Sequence, residues 1–164
     1  MSSIIKVDTI QTAAGGTPTA ADLGLDTTGS VLQVVQGTFQ NKVTNTTSTP
    51  AATGLSATIT PSSTSSKILV TVHGSCELVQ SGTTNVYPLY KNGSSLIGTF
   101  MILSNPTPDG VAMSASYLDS PSSTSAQTYA LYFYTENGAY TASFGSQTGV
   151  GYYLNSITLM EIAG

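Results

Sequence analysis

Charge is the scarcest commodity in this sequence. Charged residues make up 7% of the 164 positions, against about 25% in an ordinary soluble domain. The cations are Lys6, Lys42, Lys67 and Lys91, there is no Arg, and the net charge is −4. Nucleic-acid binding needs a basic face that neutralises phosphates and releases counterions, so no nucleic acid is expected as a partner. An anionic membrane surface is disfavoured for the same reason. No stretch reaches the roughly 18 apolar residues of a membrane span. The N-terminal MSSIIKVDTI lacks the apolar run of a secretory signal, so the chain is expected to be made in the cytoplasm. Cys76 stands alone, which excludes an intrachain disulfide and suggests a buried core thiol.

Catalytic and metal-binding side chains are equally sparse. His73 is the only His, so any Ser-His-Asp site would have to use it, and no G-x-S-x-G elbow is present. The acids are Asp8, Asp22, Asp26, Glu77, Asp109, Asp119, Glu136 and Glu161. A glycosidase needs two carboxylates facing across a cleft; their spacing demonstrates no such pair, although a fold could bring Asp119 and Glu136 together. Neither an Asp-x-Asp-x-Asp loop nor a His/Cys cluster offers a metal site. The expectation is no catalytic residues, no metal and no cofactor.

Hydroxyls fill the places that charges leave. The chain has 26 Thr, 23 Ser, 16 Gly and 7 Pro, and 40% of it is hydrophobic. Thr suits a pleated surface through its branched Cβ, while Ser, Gly, Pro and Asn suit turns. From Val31 onward the pattern is that of strands. Leu55, Ala57 and Ile59 alternate with Ser56, Thr58 and Thr60 until Pro61 stops the run, the period of a half-buried strand. Lys67–Cys76 is apolar on both faces at its start, as a central strand would be. Val86–Lys91 and Ser95–Ile102 flank Asn92-Gly93, the signal of a type I′ hairpin. Pro88 predicts an edge position or a bulge, and Asp109-Gly110 a turn. Further strands are expected at Val111–Leu118, Thr128–Glu136, Ala139–Phe144 and Leu154–Ile162. Eight to ten short strands with no helical period predict an all-β fold, a two-sheet antiparallel jelly-roll sandwich over residues 31–164.

Residues 1–30 lack the large apolar side chains of a core, yet Ile4, Ile5, Val7 and Ile10 are too sticky for an inert tail. An arm that orders against a partner is expected there. In the last strand Ile157 and Leu159 point one way, and Leu154, Met160 and Ile162 the other. A second apolar face suggests burial against another copy of the chain, with Tyr152 and Tyr153 beside it. The alternative is a central strand under a long loop. Nine Tyr and no Trp complete the inventory. Tyr132, Tyr134 and Tyr140 surround the turn at Glu136-Asn137-Gly138, and Tyr134, Asn137 and Tyr140 offer ring stacking and hydrogen bonds to a host glycan or a protein surface; or else these rings pack between the sheets or cover the edges of the core.

The opening MSSIIKVDTIQTAAGG resembles the start of structural proteins of tailed bacteriophages, notably those of marine and cyanobacterial hosts. The segment Ser48–Val70 resembles a recurrent stretch of their fibre-like proteins, and together the two cover about a quarter of the chain. The Tyr-rich strands and the last strand are similar in layout to jelly-roll heads of the complement-C1q and tumour-necrosis-factor type, which are trimers with the final strand near the shared axis. The resemblance implies a virion protein, homotrimeric, attached to the tail or capsid by an arm carrying Ile4, Ile5, Val7 and Ile10. The trimer contact would involve Tyr152, Tyr153, Ile157 and Leu159. With about 30 residues before the first strand, a short fibre or fibre tip for host attachment fits better than a long fibre. A capsid-decorating protein, a free carbohydrate-binding module and a polysaccharide hydrolase are the alternatives.

Overall fold

The computed structural model describes residues 9–11, 14–18, 28–78, 82–104, 109–138, 140–145, 147–148, 151–152 and 154–164. Eight principal strands form two antiparallel sheets packed face to face. In the first sheet β1 (Val31–Phe39), β12 (Asn155–Ile162), β4 (Lys67–Leu78) and β7 (Asp109–Asp119) lie in that order. In the second, β3 (Ala51–Ile59), β8 (Gln127–Thr135), β5 (Thr84–Lys91) and β6 (Ser95–Ser104) do the same. Each sheet draws strands from both halves of the chain, which is the interleaving of a jelly roll. The short β2 (Val43–Asn45) and β9 (Ala142–Phe144) extend the first sheet, and β10 (Gln147–Thr148) pairs with β11 (Gly151–Tyr152) as a separate ribbon.

Period-two patterning puts one face of each strand inside. In β8, Tyr129, Leu131 and Phe133 are buried while Ala130, Tyr132 and Tyr134 are half-buried on the outer face. Against them pack Leu55, Ile59, Ile68, Val70, Val72, Leu89, Phe144, Ile157 and Leu159. Side chains of this size contribute about 1.5–3 kcal/mol each when removed from water, and they bind the two sheets into one core.

Two glycines serve close packing, one between the layers and one within the first sheet. Gly37, in the middle of β1, faces β3 so closely that a Cβ there would lie 1.9 Å from the Ser56 carbonyl oxygen. Gly74 marks the point where β4 changes its neighbour, pairing with β12 up to His73 and with β9 from Cys76. The ladder is interrupted there, and the buried Asn155 side chain spans the gap. Its Oδ1 accepts from the Ser75 amide at 2.7 Å, and its Nδ2 donates to the Phe39 carbonyl at 3.0 Å.

The hairpin forms as its sequence predicts, with φ of 53° at Asn92 and 74° at Gly93, the pair of positive values a type I′ turn needs. Pro88 does not lie on an edge: β5 is flanked by β8 and β6, and the β5–β6 register shifts between Tyr87 and Pro88. The bulge accommodates the missing donor. Asp109 and Gly110 are not a turn either, because they already pair with Leu78 and Glu77 at the start of β7. The long partner strand β4 extends the ladder past the point where local turn preference would end it.

Ile157 and Leu159 face the chain's own core and are fully buried there, so neither is available to a second copy. Their burial comes from the facing second sheet, which pattern along one strand cannot distinguish from burial by a neighbour. Strand β12 is a central strand, between β1 and β4. Its other face, carrying Ser156, Thr158, Met160 and Ile162, lies half-buried on the outside of the first sheet.

Candidate functional site

Two broad outer faces and a few polar clusters are the places where this sandwich can do chemistry. The polar clusters come first. Asp119, at the end of β7, is nearly buried; its Oδ2 accepts from Lys91 Nζ at 2.8 Å and from the Tyr129 hydroxyl at 2.6 Å. Burial, followed by the Asp119 hydrogen bond and charge, pushes the Tyr129 hydroxyl well above its ordinary pKa. This carboxylate ties the two sheets together. Glu136 lies in the turn after β8, where its backbone amide donates to Thr84 at the opposite end of β5 from Lys91. At 3.3 Å per residue the two ends of β5 are about 23 Å apart, so Asp119 and Glu136 do not form a carboxylate pair. Among the described residues no group of three or more His, Cys, Asp or Glu is placed to hold a metal.

Glu161 is fully buried at the end of β12. Its Oε1 accepts from the Ser62 amide and hydroxyl, both at 2.7 Å, and its Oε2 from Gln33 Nε2 at 2.6 Å. Burial alone would raise its pKa. The Gln33 and Ser62 hydrogen bonds outweigh that and hold it at about 2. It is a structural clasp joining β1, β12 and the turn after β3. A second ion pair joins Lys42 to Glu77. Cys76 is buried, and its thiol is pushed up to about 12 by burial, against a smaller lowering by its hydrogen bond with Tyr87. His73 is exposed on the outer face of the first sheet, opposite Ser156 and Ser114.

That outer face is built in registered rows. Val34 pairs with Met160, Met160 with Leu69, and Leu69 with Leu118, giving an apolar row that crosses all four strands. Its end members Val34 and Leu118 are 57% and 48% exposed. The adjacent row is Gln36, Thr158, Thr71 and Ser116. Neither row carries a charge.

The outer face of the second sheet carries tyrosines. Tyr90 on β5 and Tyr132 on β8 are diagonal neighbours with ring centroids 4.5 Å apart and planes 47° apart, within the reach expected of diagonal cross-strand pairs. Tyr134 follows two residues along β8 on the same face and pairs with Val86, which pairs with the exposed Ile102. On the other side of the rings, β3 presents small exposed residues: Ala52 pairs with Tyr132, and Ser56 with Ala130. The result is a shallow ledge with an aromatic wall.

The predicted contact residues are only partly brought together. Tyr134 is on this face, whereas Asn137 is exposed and Tyr140 half-buried in the turn beyond it, held by a Tyr140 amide to Asn137 carbonyl bond of 3.0 Å. Tyr132, legible as one of the tyrosines near the turn, and Tyr90, which the sequence did not point to, complete the face; the alternation that put Tyr132 opposite Leu131 was legible, but its pairing with a distant strand was not. Of the proposed arm, Ile4, Ile5 and Val7 lie outside the described residues and Ile10 is exposed. Tyr152 belongs to the β10–β11 ribbon, and Tyr153 lies outside the described residues. A scan against models of protein families and a search of curated proteins find no match to this chain.

Proposed function

We propose that the chain is a non-catalytic attachment module of a tailed-phage particle, a homotrimer whose first sheet faces its sister subunits and whose second sheet faces the host surface. The observation that carries this reading is the pair of uncharged rows on the outer face of the first sheet, the apolar one made by Val34, Met160, Leu69 and Leu118, with Lys67 beyond them at the end of β4. An antiparallel sheet open to water on one side normally alternates apolar-in with polar-out, and a half-exposed apolar row there favours a partner. For a chain of net charge −4, a contact with another copy is least opposed through rows that carry no acid. This face takes the place of Ile157 and Leu159 as the subunit contact. The separation of Asp119 from Glu136 supports recognition over hydrolysis. Residues 1–30 would dock the trimer on the tail or the shell.

Light scattering coupled to gel filtration tests the reading. The mass of three chains is expected at micromolar concentration, and Leu69→Asp should give a folded monomer. A wild-type monomer would overturn it. Labelling the protein on intact particles then distinguishes tail from capsid, and absence from the particle would reject the virion assignment.

A further inference from the structure

The tyrosine face of the second sheet has a chemistry more specific than adhesion in general, and the inference rests on the attachment reading above. We propose that Tyr90, Tyr132 and Tyr134 form a stacking wall for a neutral hexopyranose glycan, which lies on the ledge of Ala52, Ser56 and Ala130. Three observations select that ligand. Tyrosine offers a ring face for the C–H surface of a sugar and a hydroxyl for its polar rim, and Tyr132 and Tyr134, two residues apart on β8, repeat at about 7 Å along the strand. The small side chains of β3 leave one side of the wall open, and Ser56, Thr58 and Thr128 bring hydroxyls to it; Thr58 and Thr128 are 2.8 Å apart.

Charge decides between neutral and acidic glycans. Among the described residues Lys91 is committed to Asp119, Lys42 to Glu77, and Lys67 belongs to the other sheet. The nearest acid to the wall along β8 is Glu136, exposed two residues beyond Tyr134. A uronate or sialate would meet a like charge and no cation. A neutral hexose polymer meets neither penalty.

The test uses the full chain and a panel of glucose, galactose and mannose hexasaccharides, with oligogalacturonate as the acidic comparator. Binding is measured by calorimetry and by tyrosine fluorescence, which no Trp obscures. At least one neutral hexasaccharide should bind with little dependence on salt. Tyr132→Ala should weaken it by about tenfold, the worth of one aromatic contact, and Tyr132→Phe should retain most of it. Binding confined to oligogalacturonate would overturn the proposal. So would neutral binding that survives Tyr132→Ala but is lost in Asn137→Ala or Tyr140→Ala, a result that leaves glycan attachment standing and moves the site. A Tyr132→Ala chain that folds but no longer forms trimers would make this face a subunit contact and overturn the proposal as well. A wild-type trimer that binds none of the panel would refute the sugar wall while leaving the assembly intact.

Discussion

Glu161 offers the most direct test of how this sandwich is held closed. Its carboxylate accepts three hydrogen bonds, from the Ser62 amide, the Ser62 hydroxyl and Gln33 Nε2. Glu161→Gln keeps the shape but removes the charge, and one amide orientation sets an N–H against Gln33 Nε2 while the other sets it against the Ser62 amide. The fall in pKa from 4.5 to about 2 corresponds to about 3 kcal/mol of preference for the ionised fold. Solvent reaches Gln33 and Ser62 and screens part of that, leaving about 1–2 kcal/mol. The sign follows from the depressed value. The contribution is fully present above pH 4.5, where the unfolded carboxylate is also ionised, and is lost as pH falls toward 2. Urea unfolding of both proteins from pH 7 to pH 2 should therefore show a gap of about 1–2 kcal/mol at neutral pH that begins to close below 4.5 and nearly vanishes at about 2. A gap that stays constant across that range, or no gap at pH 7, would refute the clasp.

Two further outcomes follow from the packing. Gly37→Ala should destabilise the fold by more than the usual surface substitution, about 2 kcal/mol or more, because its Cβ would meet the Ser56 carbonyl at 1.9 Å; an unchanged urea midpoint would show that the layers can separate there at no cost. The Cys76 thiol, buried and with its pKa pushed up to about 12, should resist a thiol reagent at pH 8 in the native protein and react promptly in urea. Fast native labelling would place it outside the core.

Much of the fold was legible locally. Alternation in Leu55–Ile59 and Tyr129–Tyr134, the Asn92-Gly93 turn and the two-faced start of β4 each follow from the period of a strand or the φ that a turn demands. Bulges and boundaries were less so. Pro88 carried the correct message about a missing donor, but a bulge in a central strand and a place on an edge satisfy that message equally.

The sequence by itself determined that this is an all-β chain with hydroxyls where charges usually stand, because strand periodicity and turn chemistry act over a few residues. Tertiary structure decided which apolar face each strand buries and against what. Ile157 and Leu159 look like contacts for another molecule until the second sheet, with β3 nearest, arrives over them. Tyr90 and Tyr132, 42 positions apart, become a pair only because β5 and β8 are hydrogen-bonded neighbours. Asp119 and Glu136, only 17 apart, are driven to opposite ends of the sandwich by the strand between them. Register between distant strands is set by the whole core at once, and no window of the chain contains it.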